Sequence, residues 1–131
     1  MKNSRFAFLG ATLYSKELLL HLVNNGKKPT IIFTIPKKFN ISYSDTKVNN
    51  SNFGNLQQVA EELNIPCYEV DSVSGKRIKD YEEVIKRAKL DLILVLGWYY
   101  MVPRSIRELT RLGCWGIHAS LLPNYAGGAP L

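Results

Sequence analysis

His118 is the side chain of this chain best suited by type to move protons at neutral pH. An imidazole titrates near pH ~6.5, so it can take a proton from an attacking group and return one to a leaving group. It follows a short apolar run, Gly113-Cys114-Trp115-Gly116-Ile117, and leads into Ala119-Ser120-Leu121-Leu122-Pro123. The sequence then turns repeatedly through Asn124-Tyr125-Ala126-Gly127-Gly128-Ala129-Pro130-Leu131. Two leucines locked to a proline make an apolar wall of fixed shape, suited to a flat ligand. A purely structural histidine at a strand end is the plainer alternative, and the loop that surrounds it favours chemistry. A second group is Trp98-Tyr99-Tyr100-Met101, directly after the apolar run Leu92–Leu96 and Gly97. Aromatic and thioether side chains there could enclose a heterocycle or pack the end of the sheet; Trp98 and Met101 suit either role, and Tyr99 and Tyr100 suit packing.

The remaining elements must bring these two groups together. Arg5-Phe6-Ala7-Phe8-Leu9 reads as a buried first strand ending at Gly10, and Thr30–Ile35 as a β-branched second strand. Pro66–Val70 is a short third strand, placed at an edge by its leading proline. Leu92–Leu96 is the fourth and residues 113–117 the fifth. Helices are expected between them. The first has Ser15 as its cap, Leu18, Leu19, Leu22 and Val23 on its inner face, and Gly26 closing it. The second runs from Asn55 to Leu63, and the third from Gly75 to Lys89 with Ile78, Tyr81, Val84, Ile85 and Ala88 inward. The fourth is started by Pro103, with Arg104, Arg107 and Arg111 outside. Residues 36–55 are polar and predict a long loop, functional or mobile. Strands alternating with helices predict an α/β fold, a Rossmann-like doubly wound parallel sheet of order 3-2-1-4-5. Its crevice then lies between the ends of the first and fourth strands, at Gly10 and Gly97, with His118 alongside.

The 131 residues suffice for one domain with a core, and an apolar fraction of 46% excludes a disordered chain. Seventeen Lys and Arg against eleven Asp and Glu give a net charge of +6. The positive side chains are scattered, which favours solvated helix faces over a nucleic-acid stripe. Cys67 and Cys114 form no CxxC, so neither a zinc site nor a redox pair is expected, and buried free thiols in a reducing cytoplasm are. No stretch is long and apolar enough to span a membrane. The first strand-to-helix turn carries one glycine instead of GxGxxG, which disfavours a nicotinamide enzyme.

With these residues in view, the chain resembles the folate-dependent formyltransferases, a family that includes the methionyl-tRNA, glycinamide ribonucleotide and amino-sugar N-formyltransferases. The likeness is carried by His118-Ala119-Ser120-Leu121-Leu122-Pro123 followed by Tyr125, Gly127 and Pro130. Phe8-Leu9-Gly10, Phe33-Thr34, Glu62–Pro66 and Asp91-Leu92-Ile93 running to Pro103 support it. The resemblance implies that residues 1–131 are an incomplete N-terminal, formyl-folate-binding domain, truncated at the C-terminus. It implies transfer of a formyl group from 10-formyltetrahydrofolate to a primary amine, with His118 catalytic and no metal. Ser120, Leu121, Leu122 and Pro123, with Leu96, Trp98 and Met101, would contact the folate. The chain departs from the family pattern at Gly116, where the asparagine of the catalytic trio would stand, and at Ala126, where an arginine is usual. The family aspartate falls beyond Leu131, so the chain alone is expected to be inactive. Pro36-Lys37-Lys38-Phe39 replaces the Pro-Asp-[Lys/Arg]-Pro of the tRNA enzymes. The acceptor therefore stays open between an amino-sugar nucleotide and methionyl-tRNA. The alternative is a non-catalytic Rossmann-like ligand-binding module.

Overall fold

The computed structural model describes residues 4–39, 48–49, 52–71 and 75–117. Five parallel strands form the main sheet: β1 (Phe6–Leu9), β2 (Ile31–Thr34), β5 (Cys67–Glu69), β6 (Leu92–Leu96) and β7 (Cys114–Ile117). Their order is β5-β2-β1-β6-β7, with every neighbouring pair parallel. This is the expected 3-2-1-4-5 arrangement, with the edge position of the proline-led strand included. All strand carboxyl ends therefore lie along one edge.

Alternation along the strands divides the core in two, because successive side chains face opposite sides of the sheet. Ala7, Leu9, Ile31, Phe33, Ile93 and Val95 face a layer made by a 3₁₀ turn (Ile78–Tyr81), α3 (Glu82–Ala88) and α4 (Arg104–Arg107). Phe6, Phe8, Ile32 and Leu96 face α1 (Leu13–Asn24) and α2 (Leu56–Leu63), chiefly through Leu19, Leu56, Val59 and Ala60. Phe8 and Phe33 are wholly buried, one on each face. Burying a side chain of that size contributes about 1.5–3 kcal/mol. Phe33 also centres an aromatic cluster, 5.7 Å from Tyr68 and 5.3 Å from Tyr81. The Tyr81 hydroxyl donates to the Glu69 carbonyl oxygen at 2.7 Å, which ties the edge strand to the 3₁₀ turn.

Local departures from expectation have physical causes. Thr12, not Ser15, caps α1; Ser15 is three residues further on and completes a capping box with it. The helix closes as expected at Gly26, with Lys27 N–H donating to Leu22 O and Gly26 N–H to Val23 O, a Schellman pattern. The helix expected to begin at Gly75 begins at Ile78 as a 3₁₀ turn and becomes α-helical only at Glu82. Asp80 accepts the Arg77 N–H at 2.9 Å, and this carboxylate cap sets the later start. The segment read as a long loop contains two short strands, β3 (Lys38–Phe39) and β4 (Val48–Asn49), paired antiparallel.

Candidate functional site

The ends of β1 and β6 meet at Gly10 and Gly97, where the crevice was expected. The Ala11 N–H donates to Gly97 O at 3.0 Å and leans also on Ser15 Oγ at 3.2 Å. Ser15, wholly buried, is the centre of this junction. Its hydroxyl donates to the Leu96 carbonyl oxygen and accepts from the Thr12 N–H at 3.2 Å. A hydroxyl carries one proton. That proton goes to Leu96 O, so the Thr12 hydroxyl, 2.9 Å away, is the donor to Ser15 Oγ. Thr12 Oγ1 in turn accepts the Ser15 N–H at 3.1 Å.

Both glycines are dictated by this packing. A Cβ on Gly10 would stand 2.6 Å from Ser15 Cβ and 2.7 Å from Leu96 O. Gly97 has φ +67°, and a Cβ there would overlap Thr12 Oγ1 and Ser15 Oγ. Residues 52–54 cover the same turn from outside: Leu13 N–H donates to Asn52 O at 2.7 Å and Gly54 N–H to Ala11 O at 3.0 Å. The N–H groups of Thr12, Leu13 and Ser15 are thus committed to protein acceptors. A helix N-terminus that binds phosphate offers such groups to the ligand. Here these three are turned to the protein instead.

The segment after Gly97 forms one wall of the edge. Trp98 is half-buried on Ala11 and Ile35 and meets Tyr100 edge-on, with ring centroids 6.2 Å apart at 87°. Its indole Nε1 is buried and has no hydrogen-bond partner among the described residues. Met101 is 69% exposed. Leu96, 4% exposed, points into the layer under α1 and α2, so its backbone, more than its side chain, faces the turn. The register pairs Leu96 with Ile117, which brings the end of β7 beside the end of β6. His118, Ser120, Leu121, Leu122 and Pro123 lie outside the described residues.

Sequence reasoning missed the joint role of Thr12 and Ser15. The signal was present as a Thr-x-x-Ser pair directly after Gly10. Elsewhere, an open cleft of about 560 Å³ between α4 and the start of β7 is lined by Arg104, Arg107, Arg111 and Cys114. It lies at the beginning of β7 and not at its end. Arg104 is paired with Glu108 at 2.6 Å and Arg111 with Asp91 at 3.5 Å, so it reads as a solvated face. Cys67 and Cys114 are unpaired, half-buried thiols, not the fully buried ones a core strand would give. Among the described residues no group of His, Cys, Asp and Glu could hold a metal ion. None of their helices is long and apolar enough to cross a membrane.

Comparison with known proteins agrees with this architecture. Methionyl-tRNA formyltransferase of Pelagibacter ubique is 32% identical over 129 residues, 98% of this chain and 39% of its own length. That of Prochlorococcus marinus is 29% identical over 127 residues, 97% of this chain and 36% of its own length. The chain thus spans little more than a third of these relatives. Among solved structures, phosphoribosylglycinamide formyltransferase of Anaplasma phagocytophilum shares the fold, with a TM-score of 0.62 and 19% identity over 95% of this chain and 53% of its own. Glycinamide ribonucleotide transformylase 1 of Geobacillus kaustophilus gives 0.62 at 14% identity, over 95% of this chain and 63% of its own. The model of the formyl transferase family matches residues 4–131, and the chain belongs to that family.

Proposed function

We propose that this chain binds the formyl donor in a protein that transfers a formyl group from 10-formyltetrahydrofolate to a primary amine. The observation that carries the reading is the pairing of Leu96 with Ile117. It sets the residue that precedes His118 in sequence at the same sheet edge as the Gly97–Met101 turn. The Trp98 N–H, buried without a partner among the described residues, supports a ligand with an acceptor group at that edge, because a buried donor without a partner costs about 1–3 kcal/mol.

In this reading the acceptor nitrogen attacks the formyl carbon, forming the new C–N bond. His118 takes the proton that the nitrogen gives up. The bond from the formyl carbon to the folate nitrogen then breaks, and the proton is returned to that nitrogen. Ser120, Leu121, Leu122 and Pro123, with Trp98 and Met101, would hold the carrier, and Leu96 would contribute its backbone. Gly116 offers no side-chain amide to the oxyanion that forms on the way, so a backbone N–H or a water must serve. The acceptor is an amino-sugar nucleotide or methionyl-tRNA. The tRNA relatives favour the second, and Pro36-Lys37-Lys38-Phe39 together with Gly116 the first. We place the activity in the cytoplasm.

The test is a titration of the 131-residue chain with 5-formyltetrahydrofolate, a stable analogue of the donor. Saturable binding, lost in Leu121→Asp and in His118→Ala, is the expected result. A folded chain that binds no folate at millimolar concentration would leave the second reading, a non-catalytic ligand-binding module. The substitutions at Gly116 and Ala126 favour that second reading.

A further inference from the structure

We propose that Ser15 is a positioning residue for the carrier-binding edge: its hydroxyl fixes the Leu96 carbonyl and so sets the path of the Gly97–Met101 turn. This rests on the reading of that turn as one wall of the folate site. Ser15 never needs to touch the ligand.

Four observations converge on it. Ser15 is wholly buried, a rare place for a serine, and every polar atom of it is used. It joins the two neighbouring strands, through Ala11 N–H after β1 and Leu96 O at the end of β6. Gly10 and Gly97 both lack a side chain just where Ser15 sits. The turn so held carries Trp98, which returns to pack on Ala11 and Ile35 and whose indole N–H has no partner among the described residues. A capping serine needs only the bonds within its own helix turn. The bond to Leu96, 81 residues away, goes beyond capping. Removing the hydroxyl takes this donor from the Leu96 carbonyl and this acceptor from the Thr12 N–H, and the turn can regain such partners only by moving.

Two tryptophans would report together, so the experiment uses a Trp115→Phe background. Trp115 is 60% exposed on β7 and takes no part in the junction. In that background Ser15→Ala is compared with Val59→Ala, a buried change in α2 that removes none of the Ser15 hydrogen bonds. Acrylamide quenching of Trp98 and the Kd for 5-formyltetrahydrofolate are measured for each. Ser15→Ala should raise the quenching constant at least twofold and weaken folate binding about tenfold, as displacement of a binding wall does. Val59→Ala, at a similar loss of Tm, should leave both within twofold. The proposal is overturned if Ser15→Ala loses stability while quenching and Kd stay within twofold, or if both variants shift them equally. Should Ser15→Ala fail to fold, Thr12→Val carries the test. It leaves Ser15 in place and removes the Thr12 hydroxyl, which donates to Ser15 Oγ and accepts the Ser15 N–H, and it should move both quantities in the same direction, by about threefold. If no variant and no parent binds folate, the functional reading fails while quenching still decides the role of Ser15.

Discussion

Gly97→Ala isolates what the junction between β1 and β6 demands of the chain. Two costs apply. Gly97 sits at φ +67°, and alanine held in the left-handed region costs about 1–2 kcal/mol. The new methyl also enters space held by Thr12 Oγ1 and Ser15 Oγ, and overpacking of a closed site costs about 1–3 kcal/mol more. The sum is about 2–5 kcal/mol, a large part of the ~5–15 kcal/mol that holds an ordinary domain folded. Gly113 provides the comparison. It has φ +76°, and a Cβ there would meet nothing within 4 Å. Gly113→Ala should therefore show the backbone cost alone, about 1–2 kcal/mol. Urea unfolding followed by circular dichroism, with equal m-values, gives both numbers. A double-mutant cycle adds the cause: with Ser15 already replaced by alanine, Gly97→Ala should cost at least 1 kcal/mol less, since neighbours that share one space are not additive. If Gly97→Ala and Gly113→Ala agree within about 0.5 kcal/mol, or the cycle shows no coupling, the steric account of the junction is wrong.

Four further outcomes follow from single groups. Thr34 is 3% exposed, and its Oγ1 has no partner among the described residues, so Thr34→Val should raise stability by about 1 kcal/mol; a loss of more than 0.5 kcal/mol in urea would mean the hydroxyl is bonded. Tyr81→Phe, which deletes the bond to Glu69 O, should cost about 1 kcal/mol and loosen β5 first, seen as faster amide exchange at residues 67–69. Trp98→Phe removes an N–H that has no partner among the described residues, along with some packing, so stability should change by less than about 1.5 kcal/mol, while folate affinity should fall severalfold if that N–H meets the ligand. Burial, with smaller contributions from Glu69 and Glu61, pushes the Cys67 thiol from 9.0 up to about 12, and burial pushes Cys114 from 9.0 up to about 11. The folded chain keeps protons that the unfolded chain gives up above pH 9.0. Their contribution is therefore full below that pH and is lost as pH rises towards the folded values. A double Cys→Ala variant should show a shallower decline of its urea midpoint between pH 8.5 and 10.5 than the parent; equal slopes would count against burial as the cause.

The sheet was legible because its strands are continuous apolar runs with helical spacing between them, and burial on both faces leaves little else such runs can do. Leu92–Leu96 and Ile31–Thr34 declare themselves in this way, and the order follows from the handedness of crossovers. The aromatic turn after Gly97 was legible for the same reason, since a run that ends at a glycine ends at an edge. Thr12 and Ser15 were not legible. A Thr-x-x-Ser pair at a helix start reads as a local cap, and nothing local tells that the second hydroxyl crosses to a carbonyl on another strand. Only the parallel pairing of β1 with β6, Leu9 beside Val95, brings those atoms within reach. Helix starts fail for a related reason. Gly75–Arg77 reads as the lead-in of a helix that continues to Lys89, yet the Asp80 carboxylate takes the Arg77 N–H and the first turn starts at Ile78. Local pattern thus fixes which residues are buried, while the partner of a buried polar atom depends on which strands are neighbours. That dependence makes the two glycines informative in retrospect. Gly10 and Gly97, 87 positions apart in sequence, are both kept bare by one serine hydroxymethyl group, and this shared requirement ties the two halves of the edge into one unit.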